Sequence, residues 1–331
     1  MHMADALMAP AVAGGMYVCT GAAMCYSMKK VRALEQPEKI PVMGVMGAFT
    51  FAAQMVNFTI PGTGSSGHLC GGVLLSAVLG PEAGFLTMMG VLLIQCLLFA
   101  DGGLLALGAN IWNMAFYGCF IGGMVIWNRT MKNGISRKKI CAASIAGCML
   151  SLQMGAFSVV LETLASGITK LPFSLFLAAM QPIHLAIGLV EGLITAAVLV
   201  FLYETRPSLL WGYSEAGDKQ GRLSLKQTLG VLAAAFIAIG GLFSLAASAH
   251  PDGLEWSVER TAGSGELTAV GTAYEVASDI QDVTAILPDY GFRENESAVG
   301  TSLSGVLGGM AVIALCVGGC YGLRLFRRKS R

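Results

Sequence analysis

Residues 54–72 read QMVNFTIPGTGSSGHLCGG, a loop rich in Gly, Ser and Thr held between two apolar runs. How the chain leaves this loop decides the topology. The run ahead of it covers about 40–60, and the run behind it, about 67–80, ends at Gly80–Pro81. A helix needs ~20 apolar residues to cross a bilayer, so the second run is short. If it dips in and returns, parity places the later segment 129–139, with five basic residues, on the outer side. If it crosses, as a broken or tilted helix, every basic segment falls on one side.

The rest of the chain favours crossing. Its 331 residues are 55% hydrophobic and 12% charged, the composition of a polytopic membrane protein. Further apolar runs lie at about 9–28, 82–100, 104–127, 140–165, 173–203, 229–249 and 301–323, with Gln181–Pro182 a predicted kink in the longest. Segments 29–39, 129–139, 204–226 and 324–331 hold eighteen of the 21 Lys and Arg. The positive-inside rule puts all four in the cytoplasm. The expected fold is therefore an all-α transmembrane helix bundle of about nine spans, amino terminus out and carboxy terminus in. Residues 1–8 are too short, and lack the basic start, for a cleaved signal peptide. The nine cysteines sit in or beside apolar runs with no C-x-x-C pair, so they read as small core residues.

This topology gathers Met1–His2, the His68 loop, Asp101 and segment 250–299 on the outer side. That last segment carries ten acids against Arg260 and Arg293, a net of −8 that attracts cations. His68 is one of only four histidines, and the glycines around it let backbone approach a ligand closely. His2 has a sharper meaning. The α-amine of Met1, the deprotonated amide nitrogen of His2 and its ring Nδ1 close fused five- and six-membered chelate rings. One imidazole from elsewhere, such as His68, completes a planar four-nitrogen site, a geometry that selects nickel(II) or copper(II). Asn57, Ser65, Ser66, Asp101, His184 and Glu191 are candidates to support such ligands or line a path. His184 and Glu191 share a helix face within the bundle, where ionisable residues mark function or a buried structural pair.

Other chemistries fit less well. Gly62, Gly64 and Gly67 satisfy G-x-G-x-x-G but follow Pro61, with no strand–helix unit around them. Residues 64–67, GSSG, match the G-x-S-G of rhomboid-like intramembrane serine proteases, with His184 as the conceivable base. That reading needs Ser66 and His184 within hydrogen-bond reach. No G-x-x-x-x-G-K-[ST] occurs, so no P-loop hydrolyses ATP here, and no enzymatic activity or nucleic-acid partner is expected.

With these residues in view, the chain resembles the substrate-capture component of nickel/cobalt energy-coupling-factor transporters, the CbiM/NikM family. The matching stretches are Met1–His2, FAAQMVNF (51–58), GTGSSGHLCGGVL (62–74), LGPEAG (79–84), LLFADGGLLALGANIWNM (97–114) and HLAIGLVEGLITA (184–196). Where the family usually continues with something like Ile-Pro-Glu-Gly, Met3–Ala4–Asp5–Ala6 stands here. The resemblance implies metal binding through the amine of Met1, the amide and ring of His2, and His68. From about 225 onward, with His250 followed by PDGLE (251–255), the chain resembles the small auxiliary subunit of these systems, fused in frame. The implied organisation is a seven-span capture domain over 1–203, a cytoplasmic linker over 204–226, and a two-span auxiliary domain over 227–331 with the acidic outer segment 250–299. The resemblance also implies uptake of nickel or, as the alternative, of cobalt for cobalamin synthesis. Separate transmembrane coupling (Q/T-type) and ATPase (O/A-type) subunits in the cell membrane would drive it. Planar nitrogen donors favour nickel.

Overall fold

The computed structural model describes residues 1–31, 39–169, 171–213, 221–263, 267–293 and 297–329. Arg32, Glu266, Glu294, Glu296, Arg331 and the middle of the 204–226 linker lie outside the described residues. The described chain is all-α apart from one hairpin. Its long helices are α1 (Pro10–Lys30), α2 (Lys39–Gln54), α4 (Pro81–Phe99), α5 (Leu107–Met131), α6 (Arg137–Ser166), α7 (Phe173–Thr205), α8 (Leu225–Gly241) and α11 (Ala298–Lys329). Between them lie the strands β1 (Phe58–Ile60) and β2 (Ser65–Gly67), and the short helices α3 (Gly72–Leu79), α9 (Gly253–Ala262) and α10 (Thr272–Thr284). Most of α5, Ile111–Trp127, is wound as a π-helix.

Among the described residues five helices are by themselves long and apolar enough to cross a membrane: α4, α5, α6, α7 and the Ala298–Gly322 part of α11. The nine-crossing reading also counts α1, α2, α3 and α8, which are shorter or more polar. Two ends of the bundle are distinct. At one, Trp211 N donates to the Ala77 carbonyl (2.8 Å) and Trp127 Nε1 to the Trp211 carbonyl (3.1 Å), tying the ends of α3, α5 and α7 together. Arg129 and Arg137 belong to this end. At the other, the hairpin, the amino terminus and Asp101 converge.

The loop itself departs from the sequence reading. Hydropathy carries the second run on to residue 60, but α2 stops at Gln54 and a hairpin follows, pairing Phe58 with Gly67 and Ile60 with Ser65. Phe58, Thr59 and Ile60 are apolar or β-branched, so they raise hydropathy while favouring strand. Gly62 and Gly64, at φ +76° and +75°, supply the left-handed turn conformations that other residues resist. Beyond the hairpin only eight residues are helical, ~12 Å of rise, so a crossing here, as the sequence reading expects, requires the loop to supply the remaining depth. Non-helical backbone at such depth is tolerated only inside protein, and this one is enclosed. Every residue of α3 is buried, and a Cβ on Gly72 would stand 2.8 Å from the Gly118 Cα of α5. Such close backbone approach is how small residues pack helices in lipid. The Gln181–Pro182 position leaves α7 continuous over 33 residues, with Gln153 Nε2 donating to the Gln181 carbonyl at 2.8 Å.

Candidate metal centre

The first eight residues are threaded into the outer end of the bundle rather than hanging from it. Met1, Met3, Leu7 and Met8 are buried. Met3 is clamped by one side chain: its N–H donates to Asn110 Oδ1 (2.7 Å), while Asn110 Nδ2 donates to its carbonyl (3.1 Å). Asp5 Oδ1 accepts from Ala106 N at 2.9 Å, which gives the acid at this position a structural partner. These bonds hold the amine of Met1, itself 4% exposed, against the His68 loop.

There the three candidate ligands meet. The Met1 nitrogen lies 2.9 Å from His68 Nε2, and the His2 and His68 rings stack with centroids 5.3 Å apart. His68 Nδ1 faces the Leu69 carbonyl at 3.0 Å. It must donate there, so Nε2 carries the lone pair and turns it toward the amine. His2 Nδ1 is 3.2 Å from Asp101 Oδ1, and its Nε2 is 3.2 Å from Gln95 Oε1. Two nitrogens wanted by the chelate thus face carboxylates. The second carboxylate belongs to Asp252, whose Oδ2 is 2.6 Å from the Met1 nitrogen and 4.0 Å from His68 Nε2.

Asp252 reaches the site from the PDGLE segment, far along the chain. Its Oδ1 caps α9 by accepting from Leu254 N (2.7 Å) and Glu255 N (2.9 Å), and Glu255 Oε2 accepts from Asp252 N in return. This reciprocal capping box fixes the side chain, leaving Oδ2 for the amine. Burial alone would raise the Asp252 carboxyl, but the ammonium beside it and His68 overcome this and hold it well below the usual range. For the amine, burial pulls down while Asp252 pulls up, and the net shift is upward. His2 is lowered, chiefly by burial.

The other sequence candidates fall into place around this centre. Ser66 Oγ donates to the His250 carbonyl (2.8 Å), Ser66 N to the Pro251 carbonyl (2.8 Å), and Ser65 Oγ bonds locally and toward Pro251, so both serines dock the PDGLE segment onto the hairpin. The Asn57 carbonyl accepts from Ser248 N at 2.8 Å, extending that dock. Glu191 accepts from Gly71 N (2.9 Å) and so pins the loop behind His68. His184 Nδ1 donates to the Met180 carbonyl (2.8 Å), and no Ser66–His184 hydrogen bond forms among the described residues. The serine-hydrolase arrangement is therefore not assembled. His184 instead lines a small pocket shared with Met1, His68 and Gly253.

Outside the site opens a cavity of about 680 Å³ whose walls include Asp5, Asp101, Asp252, Glu255, Glu275, Asp279 and Asp289, with His2 at its base. α10 and residues 288–290 form one side of it. Sequence reasoning missed Asp252, Gln95 and Asn110. The signal for the two amide residues was a polar side chain inside an apolar run; for Asp252 it was the outer location it shares with His68. Among the described residues no three His, Cys, Asp or Glu side chains form a metal-holding cluster. An amino-terminal chelate needs no such cluster, since two of its donors are backbone nitrogens.

Comparison with known proteins places the chain in a family. The family model described as the cobalt uptake substrate-specific transmembrane region, CbiM, matches residues 2–209, and the PDGLE domain matches 226–325. A putative fused nickel transport protein NikMN of Archaeoglobus fulgidus is 34% identical, covering 95% of this chain and 96% of that one. The fused nickel transport protein NikMN of Rhodobacter capsulatus is 29% identical over the whole of both chains. The cobalt transport protein CbiM of Geobacter sulfurreducens is 30% identical over 66% of this chain and 64% of its own. A crystal structure of a truncated transition metal transporter, 29% identical, superposes with a TM-score of 0.54 over 61% of this chain and 98% of that one.

Proposed function

Because the chain belongs to the CbiM family and carries a PDGLE domain behind it, we propose that it captures nickel(II) at its own amino terminus. It is a multi-pass membrane protein, a nickel/cobalt transport component of the CbiM/NikMN type rather than an enzyme. In our reading the donors are the Met1 amine, the His2 amide nitrogen and Nδ1, and His68 Nε2. The observation that carries it is the 2.9 Å approach of the amine to the lone-pair nitrogen of His68, with His2 stacked alongside. Four nitrogens in one plane suit nickel(II), and the fused relatives named for nickel support that choice; cobalt is the alternative. Transport would draw on separate coupling and ATPase subunits of the energy-coupling-factor type. Residues 1–203 would form the seven-span capture domain and 227–331 the auxiliary domain, joined by a cytoplasmic linker.

The ligand assignment makes a ranked prediction. His68→Ala removes a donor and weakens nickel binding by roughly 100-fold or more, whereas Ser66→Ala, which only loosens the dock behind the ligands, costs at most the ~10–100-fold typical of supporting residues. Calorimetric titration of both variants measures the ranking, and equal affinities would sink the assignment.

Protons give a second test. Binding must strip the amide proton of His2 and, because the amine is raised, a proton from the ammonium as well. Bound metal and bound protons compete, so affinity rises with pH. Below the amine's raised range the expected slope is about tenfold per pH unit for each proton released, or roughly 100-fold per unit for two. Titrations across pH 6 to 9 would read it. A pH-independent affinity would exclude the amine and amide as donors.

A further inference from the structure

We infer that a one-way chain of side-chain amides, running from the Cys70 carbonyl through Gln54 and Gln95, holds the His2 ring in the tautomer whose Nδ1 is free for metal. This rests on reading His2 Nδ1 as a donor, and it assigns a positioning role to two glutamines that touch no metal.

The direction of the chain follows from one group that can only accept. Gln54 Nε2 lies 2.8 Å from the Cys70 carbonyl oxygen. A carbonyl has no proton to give, so the Gln54 amide must present its NH₂ there. Its Oε1 then faces Gln95, whose Nε2 donates to it at 2.9 Å. With its NH₂ committed, Gln95 has only Oε1 to offer His2 Nε2 at 3.2 Å. Nε2 must therefore carry a hydrogen. In a neutral imidazole the other nitrogen is then bare, and that nitrogen is Nδ1, the one that closes the six-membered chelate ring. Turning either amide over would set oxygen against oxygen in a place with no water to compensate: Gln54 is 4% exposed and Gln95 fully buried.

The chain has something to oppose. Asp101 Oδ1 stands 3.2 Å from Nδ1, and Tyr290 Oη, donating to Asp101 Oδ2 at 2.5 Å, holds that carboxylate in place. Acting alone, Asp101 would draw a hydrogen onto Nδ1 and close the site. With the amide chain holding the neutral ring's single hydrogen on Nε2, the gap between Nδ1 and Asp101 is where a cation is favoured. The same chain begins at Cys70, two residues from His68, so it also ties the His2 ring to the loop that bears the fourth donor. Gln54 on α2 and Gln95 on α4 are brought together by helix packing, which makes the tautomer of His2 a property of the folded bundle.

The test is the ring-nitrogen NMR spectrum of metal-free protein carrying ¹⁵N-histidine, with the His2 signals assigned by their loss in His2→Ala. We expect Nε2 to be protonated, and to stay so when nickel is added while Nδ1 takes the metal. Gln54→Leu removes the donor to Cys70, frees Gln95 to turn, and should shift Nε2 toward the bare form while weakening nickel binding ~10–100-fold. Gln95→Met should do the same. Unchanged His184 signals report that a variant is folded. If the leucine and methionine variants do not fold, the parent spectrum still decides. A bare Nε2 in the parent, or protonation indifferent to the glutamine substitutions, overturns the inference. Failure of the chelate itself appears separately, as nickel affinity untouched by His2→Ala.

Discussion

A single residue added ahead of Met1 is expected to abolish nickel binding, a loss of about a thousandfold or more, at about 1.4 kcal/mol per decade. Two independent causes act in the same direction. Chemically, the extension converts a basic amine into a non-basic amide nitrogen, so the chelate loses its amine donor. Sterically, the Met1 nitrogen is enclosed by His68 Nε2 at 2.9 Å and Asp252 Oδ2 at 2.6 Å, with no space for another residue. The extension would have to break the Met3–Asn110 clamp to leave. A tag after Arg331 follows a helix that ends at the opposite, basic end of the bundle and should leave binding intact. Isothermal titration of the two tagged forms gives the comparison, and sequencing of the untagged protein should return Met-His. Full affinity in the amino-terminally extended form would remove the amine from the ligand set.

Much of this site was legible in the sequence because histidine is scarce in the chain. With four histidines and a charge pattern that puts the first residues and the 54–72 loop on one side, Met1, His2 and His68 were the available partners. The helical bundle was legible for a similar reason: apolar runs and basic clusters are additive signals along the chain. What escaped depended on packing. Hydropathy could not see α2 end at Gln54, since Phe58 and Ile60 are as apolar in a hairpin as in a helix. Gln54 and Gln95 look like minor blemishes in two separate apolar runs, and only the contact between α2 and α4 turns them into a directed chain. Asp252 has the appearance of an ordinary helix cap, which it is. Nothing local reveals that its second oxygen lies against an amine 251 residues away.

Removing residues 227–331 is expected to leave nickel affinity within about tenfold of the intact chain while cutting uptake sharply. Asp252 pairs with the nitrogen proposed to bind metal, yet the charge it faces is alike before and after binding. Before binding, the amine is an ammonium of charge +1. After binding, nickel(II) and the deprotonated amide also sum to +1 at nearly the same place. Asp252 attracts both states by a similar coulombic energy, so losing it changes their difference little. Asp252→Asn isolates this point, because asparagine still caps α9 but carries no charge, and its affinity at neutral pH should stay within about tenfold of the parent. The expected uptake defect rests on a different part of the segment. The Pro251 carbonyl accepts from Ser66 N along the open edge of the hairpin, and Trp256 Nε1 donates to the Thr63 carbonyl at 3.0 Å, so the PDGLE segment braces the loop that carries His68. Gly253 makes that dock possible: a Cβ there would stand 2.8 Å from Ile187 Cδ1 and 3.1 Å from His184 Cε1. Gly253→Val should therefore reproduce much of the deletion's transport defect while keeping every ligand and every acid. Uptake of radioactive nickel by cells that also carry the coupling and ATPase subunits, set beside titrations of the purified variants, separates the two effects. Unchanged uptake in both the deletion and Gly253→Val would reduce the PDGLE segment to a passive anchor, and a large affinity loss in Asp252→Asn would make Asp252 a participant in metal binding.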